Sequence, residues 1–120
     1  MKGEPKLRSV GTNLTAGVGN TIYTCPANHT SKVELLFVTN HSAGGGGSTK
    51  TVSIQWYDTS AGQSYYIVGG YSLISTAFLK LDGSYIVLNA GDYLVVTPEA
   101  GSTMDATVSV EEYFDPMNQI

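Results

Sequence analysis

The feature that most constrains this chain is a repeated alternation of apolar and polar residues over short segments, each closed by a cluster of turn-forming residues. "NTIYTC" at 20–25 runs into the turn "PANHT", and "SKVELLFVT" at 31–39 runs into a glycine-rich stretch. Then follow "KTVSIQWYD" at 50–58, the turn "SAGQ", "SYYIVGG" at 64–70, "STAFLKL" at 75–81 and the turn "DGS". "YIVLN", "AGD", "YLVVTP", "EAGS" and "MDATVSVEEYF" at 104–114 complete the series. A period of two sends successive side chains to opposite faces of a strand, and glycine, proline, asparagine and aspartate break the ladder between strands. About eight such strands, one every ten residues or so, predict an all-β, two-sheet antiparallel β-sandwich with jelly-roll-like connections.

Individual segments carry further expectations. In 31–39, Val33, Leu35, Phe37 and Thr39 fall on one face and Glu34, Leu36 and Val38 on the other, an almost two-sided apolar strand suited to a central position. In 50–58, Val52, Ile54 and Trp56 make a core face against polar Ser53, Gln55 and Tyr57, and the "SAGQ" hairpin brings Trp56 beside Tyr65. No segment sustains a helical period, and a short helical turn is expected only around Leu73 to Ala77.

With 120 residues the chain has the length of one domain, without an internal linker or repeat. The sandwich is assigned to 11–113, with extended arms at 1–10 and 114–120 that each contain a proline. Lys2, Lys6 and Arg8 lie in the first arm, while Glu111, Glu112 and Asp115 lie near the end, so the termini carry opposite signs.

One stretch imitates a nucleotide site. "GGGGSTKT" at 44–51 is one residue short of a phosphate-binding loop, since Thr49 stands where the second glycine belongs. Such a loop also needs a following helix to aim its N-terminal amides at the phosphate, and here a strand follows. The stretch reads as a hairpin loop between its two flanking strands.

Other chemistry is similarly thin. The net charge of −4 and the lack of a basic, aromatic-interleaved stripe argue against nucleic acid as a partner. Cys25 is the sole cysteine, which excludes an internal disulfide and reads as a buried, inert thiol. His29 and His41 lie in turns beside asparagines, with no carboxylate nearby in sequence to orient either ring. Asp58, Asp82 and Asp92 read as turn formers, and Glu111 and Glu112 point to opposite faces of a strand. No catalytic residue, metal ligand or cofactor site is assigned, and no enzyme is expected.

The N-terminus has charges but no apolar segment of the kind that directs secretion or spans a membrane. The three Asn-x-Ser/Thr sequences at Asn13, Asn28 and Asn40 therefore read as turn chemistry rather than glycan acceptors.

Tyrosine is the informative enrichment. The chain holds 8 tyrosines and 1 tryptophan, more than one small core needs, and tyrosine offers a large amphipathic contact surface. Tyr65, Tyr66 and Tyr71 in "GQSYYIVGGYSL", with Tyr113 and Phe114 near the C-terminus and Lys2, Lys6 and Arg8 near the N-terminus, are the candidate interface residues. Trp56 with its tyrosine neighbours also fits a sugar-stacking platform, a carbohydrate-binding alternative that requires an exposed indole.

Taken together, "NTIYTCPANHTSKVELLFVTNHS", "KTVSIQWYD", "YIVLNAGDYLVV" and "TVSVEEY" resemble the small β-sandwich virion structural proteins of tailed bacteriophages, cyanophages among them, over about Gly11 to Tyr113. The resemblance implies a capsid decoration or cement protein, located in the virion after synthesis in the host cytoplasm. Its partners would be the major capsid protein and further copies of itself, and function would lie in surface contact. A tail, neck or fibre-adaptor component is the second role it implies. The two arms would then order against neighbouring subunits.

Overall fold

The computed structural model describes residues 4–42, 49–82 and 86–117. Nine strands follow in order: β1 Lys6–Asn13, β2 Asn20–Thr24, β3 His29–Asn40, β4 Lys50–Asp58, β5 Gln63–Leu73, β6 Phe78–Leu81, β7 Ile86–Asn89, β8 Tyr93–Pro98 and β9 Met104–Phe114. They form two antiparallel sheets. The first runs β1-β9-β3, with β7 and β6 sharing the far edge of β3 along Thr30–Val33 and Leu36–Thr39, and the second runs β2-β8-β4-β5.

The pairing is nested. β1 pairs with β9, β2 with β8, β3 with β6 and β7, and β4 with β5. The chain therefore behaves as one long hairpin wound over on itself, with β5 at its tip, and this winding is a jelly roll. The β4–β5 turn marks the reversal. Asp58 Oδ1 accepts from Ser60 N at 3.1 Å and Ser60 Oγ at 2.8 Å, while Gly62 takes the left-handed φ of 65° that returns the chain to the sheet.

The inner faces supply the core. Leu36 and Val38 of β3, Val108 and Val110 of β9, Val52 and Ile54 of β4 and Leu94 and Val96 of β8 are all buried. Each such side chain contributes about 1.5–3 kcal/mol by leaving water.

Four expectations change on the structure. The strand at 31–39 was expected to keep one phase throughout, but a bulge between Val33 and Leu35 shifts it. Glu34 is the extra residue, so Val33 and then Leu36 and Val38 face inward, while Leu35 and Phe37 turn outward. The expected arm at 1–10 is, from Lys6 onward, strand β1, paired with β9 in unbroken register. Lys6 lies opposite Glu112 and Arg8 opposite Val110, so the opposite charges of the two termini meet within one sheet of one molecule. Third, the strands on either side of the glycine-rich stretch do not pair as the expected hairpin. β3 and β4, the strands that flank it, belong to different sheets, and 43–48 itself lies outside the described residues. Finally, the helical turn near Leu73 to Ala77 is a tight turn, closed by Ala77 N on Ile74 O at 3.1 Å. Gly83, Ser84 and Tyr85, from the "DGS" turn and the strand after it, also lie outside the described residues.

The turn from Leu73 to Ala77 is strained. Thr76 holds φ at 71°, a region costly for a β-branched residue, while its amide donates to Asn40 O at 2.7 Å. Thr76→Gly is expected to raise stability by about 0.5–1 kcal/mol, measurable by urea denaturation, because the left-handed conformation then carries no side-chain penalty.

Candidate contact surface

β5 is an edge strand of the second sheet and carries three exposed tyrosines. Two register shifts along β4, between Val52 and Ile54 and between Ile54 and Gln55, bulge β5 twice. Gly70 takes φ of 66° at the first bulge, and its amide donates to Ser53 Oγ at 2.9 Å. At the second, Ile67 and Val68 both pack against the core. The bulges twist the edge and leave Tyr65, Tyr66 and Tyr71 exposed, Tyr66 at 68%.

Tyr65 lies opposite Trp56, as expected, with ring centroids 5.5 Å apart. Trp56 itself is half-buried against the core, and its indole N–H donates to Asp92 Oδ2 at 3.3 Å. A sugar-stacking platform needs that indole free, so the carbohydrate-binding alternative loses its main residue. On the outer face of the same sheet, Tyr57 and Tyr93 stack at 4.6 Å and 17°.

The remaining candidates do not join this surface. Lys6 and Arg8 lie on β1, at an edge of the other sheet. Tyr113 donates its hydroxyl to Glu111 Oε1 at 2.6 Å on the outer face of β9, and Phe114 packs edge-on against His29 at 5.5 Å. Lys2 lies outside the described residues. One aromatic surface went unread in the sequence. Phe37 and Phe78 meet edge to face at 5.6 Å on the outside of the first sheet, because the β3 bulge turns Phe37 away from the core.

Several polar groups sit deeper than their sequence positions suggest. Asp92, expected as a turn former, does close the β7–β8 turn, but its carboxylate is buried and accepts from Thr59 N, Asn89 N and Trp56 Nε1. Glu112 faces inward as alternation requires, where it accepts from the Tyr23 hydroxyl and from Arg8 Nη1 at 3.3 Å. The Tyr23 hydroxyl Oη also lies 2.7 Å from Ser31 Oγ, which donates to Cys25 Sγ at 3.3 Å. His41, read as lacking an orienting carboxylate, lies 3.0 Å from Asp105 Oδ2, because β3 and β9 pair to their ends at Asn40 and Met104. Asp105 also accepts from Asn13 Nδ2 at 2.7 Å, and among the described residues no hydroxyl or thiol bonds to the His41 ring. Asn28 takes the left-handed φ of 61° expected of a turn asparagine, and Asn40 is buried with its Nδ2 on Leu73 O at 2.9 Å.

This buried cluster has a pH signature. The Tyr23 hydroxyl is pushed well above tyrosine's ordinary value, first by burial and then by the Glu112 carboxylate it donates to. Burial chiefly pushes the Cys25 thiol up as well. Both groups hold their protons more tightly folded than unfolded, so the thiol's contribution is complete below about pH 8 and the hydroxyl's below about pH 9, and each declines as pH rises further. Unfolding free energy should begin to fall above about pH 8 and fall more steeply above about pH 10, by up to about 1.4 kcal/mol per pH unit for each group. Denaturation of the wild type and of Tyr23→Phe between roughly pH 8 and 11 checks this, with the variant losing the tyrosine's share of the slope.

Comparison with known proteins adds the fold's relatives. No family model and no curated protein matches the chain. Among solved structures, it superposes on a chain of the infectious bursal disease virus particle at a TM-score of 0.56, with 10% identity over 98% of this chain. It superposes on a chain of the Gx strain of the same virus at 0.57, with 12% identity over 92%. The likeness is one of fold. This chain spans about a third of the length of those chains, 33% and 32%. A chain from the capsid of Helicobacter pylori bacteriophage KHP30 aligns more loosely, at a TM-score of 0.44 and 12% identity, over 97% of this chain and 93% of its own length.

Proposed function

We propose that this chain is a virion structural protein that works by surface contact rather than catalysis, and within that class a capsid decoration protein on the outside of an assembled head. The observation that carries the reading is the nested jelly-roll winding, matched over nearly the whole chain by a subunit fold from a virus particle. The likeness to small phage virion proteins in "NTIYTCPANHTSKVELLFVTNHS" and "YIVLNAGDYLVV" points the same way.

In this reading the bulged β5 edge, with Tyr65, Tyr66 and Tyr71, meets the major capsid protein or a neighbouring copy. Tyrosines at an exposed, twisted edge supply contact area at low entropic cost, and the bulges discourage indiscriminate strand pairing. A protein that binds only the assembled shell stabilises it by mass action.

Tyr66→Lys tests the surface. Being exposed, the residue contributes little to folding, so unfolding free energy should stay within about 0.5 kcal/mol of wild type. Its occupancy on purified particles, read by gel stoichiometry, should drop at least about tenfold, as loss of a central aromatic anchor costs 2 kcal/mol or more, roughly. Full occupancy by the folded variant would exclude β5 as the contact.

A further inference from the structure

The four sheet edges are not equally guarded. β5 is bulged twice, β2 has only 5 residues and one bulge, and β6 and β7 divide the fourth edge into two pieces of 4 residues. Short or irregular edges resist the addition of a further strand. β1 differs: its 8 residues pair with β9 from Lys6↔Glu112 to Asn13↔Asp105 without a shift. Its free side is a straight edge, with alternate N–H and C=O groups facing outward.

β1 also borders the open seam of the sandwich opposite β2. Between them lies a groove of about 260 Å³ lined by Arg8, Val10 and Thr21 to Thr24. Among the described residues Arg8 uses one N–H, on Glu112, and its side chain remains 52% exposed. Lys6, two residues earlier on the same side of the strand, forms no ion pair among the described residues. Glu112 is the countercharge, but it is buried and already bonded to Tyr23. The mouth of the groove thus presents the exposed Arg8 guanidinium, with Lys6 beyond it on the same side of the strand.

We propose that the β1–β2 seam is the docking site for an extended, carboxylate-bearing strand of a partner polypeptide, which pairs with the free edge of β1 and sets its carboxylate on the Arg8 guanidinium. Charge selects the occupant. An apolar strand would strip water from Lys6 and Arg8 without compensation, whereas a strand with Asp or Glu facing the groove gains charge-assisted hydrogen bonds beside the main-chain pairing. The site stands apart from the β5 surface and does not depend on the virion reading.

The test is amide chemical-shift mapping and hydrogen exchange on the isotope-labelled full chain. Three probes are titrated: acetyl-Thr-Val-Glu-Val-Thr-Val-amide, the same peptide with Lys in place of Glu, and sodium glutamate. The acidic peptide should shift and protect amides of β1 and β2 saturably while leaving β5 unchanged, and the lysine peptide should bind at least about tenfold more weakly. Arg8→Met combined with Glu112→Gln removes the guanidinium without leaving a buried charge unpaired, and should weaken the acidic peptide about tenfold. Because the peptide pair is compared on the unaltered protein, a variant that fails to fold does not blunt the test. Equal binding of both peptides, shifts centred on β5, glutamate alone reproducing the shifts, or no shifts at all would overturn the proposal.

Discussion

Asp92→Ala is expected to lower the unfolding free energy by about 3–4 kcal/mol, because it strips three donors of a buried carboxylate at once. The side chain is 1% exposed, and it accepts from Thr59 N at 2.9 Å, Asn89 N at 3.0 Å and Trp56 Nε1 at 3.3 Å. Hydrogen bonds to a charged group are worth roughly 1.5–3 kcal/mol each, and the figure falls below their sum because water reaches some of the freed donors. These bonds tie the end of β4, the β4–β5 turn and the β7–β8 turn together. Trp56 in turn braces Tyr65, so the same substitution should loosen the aromatic edge. Asp92→Asn keeps the shape but sets an amide N–H against one donor, for a loss of about 1–2 kcal/mol. Urea denaturation of both variants reads this directly, and a loss under about 1 kcal/mol for alanine would contradict the role given to Asp92.

Ile54→Ala should cost about 3–4 kcal/mol by the transfer and cavity terms together. Ile54 is fully buried in the second sheet, with Val96 on one neighbouring strand and Val68 on the other. The inner sheet faces are packed there, leaving little room to collapse around the missing atoms. Leu7→Ala is the contrast: at 76% exposure on an edge strand, it should change stability by less than about 0.5 kcal/mol.

Much of this fold was legible because the alternation is strong where strands have one wet face. "KTVSIQWYD" and "YLVVTP" read correctly because β4 and β8 keep one phase along their shared ladder, Val52 to Tyr57. β1 was hidden for a physical reason. The inward side of "KLRSVGTN" carries Lys6, Arg8, Val10 and Thr12, so only Val10 signals a core, and the charges that resembled an arm are opposed by residues of β9. The β3 bulge was hidden because Leu35 and Leu36 are interchangeable to a period-two reading, and only the register distinguishes them.

The candidate surface was partly legible. Tyr65, Tyr66 and Tyr71 stood out by their crowding near glycines, and β5 does lie at an edge. Phe37 and Phe78 did not stand out, since an outward phenylalanine looks like core until a bulge is known. Long-range contacts, such as Glu112 with Tyr23 across the sandwich and Asp92 with Trp56 at the end of the second sheet, join residues 89 and 36 positions apart and leave no local pattern.

Cryo-electron microscopy of intact particles carrying this protein tests the central proposal most directly. The expected result is jelly-roll density repeated over the outer surface of the head, with the β5 tyrosines against a capsid subunit or a neighbouring copy. Particles that lack such density, or that hold it only as a single ring at the neck or tail, would contradict a decoration role.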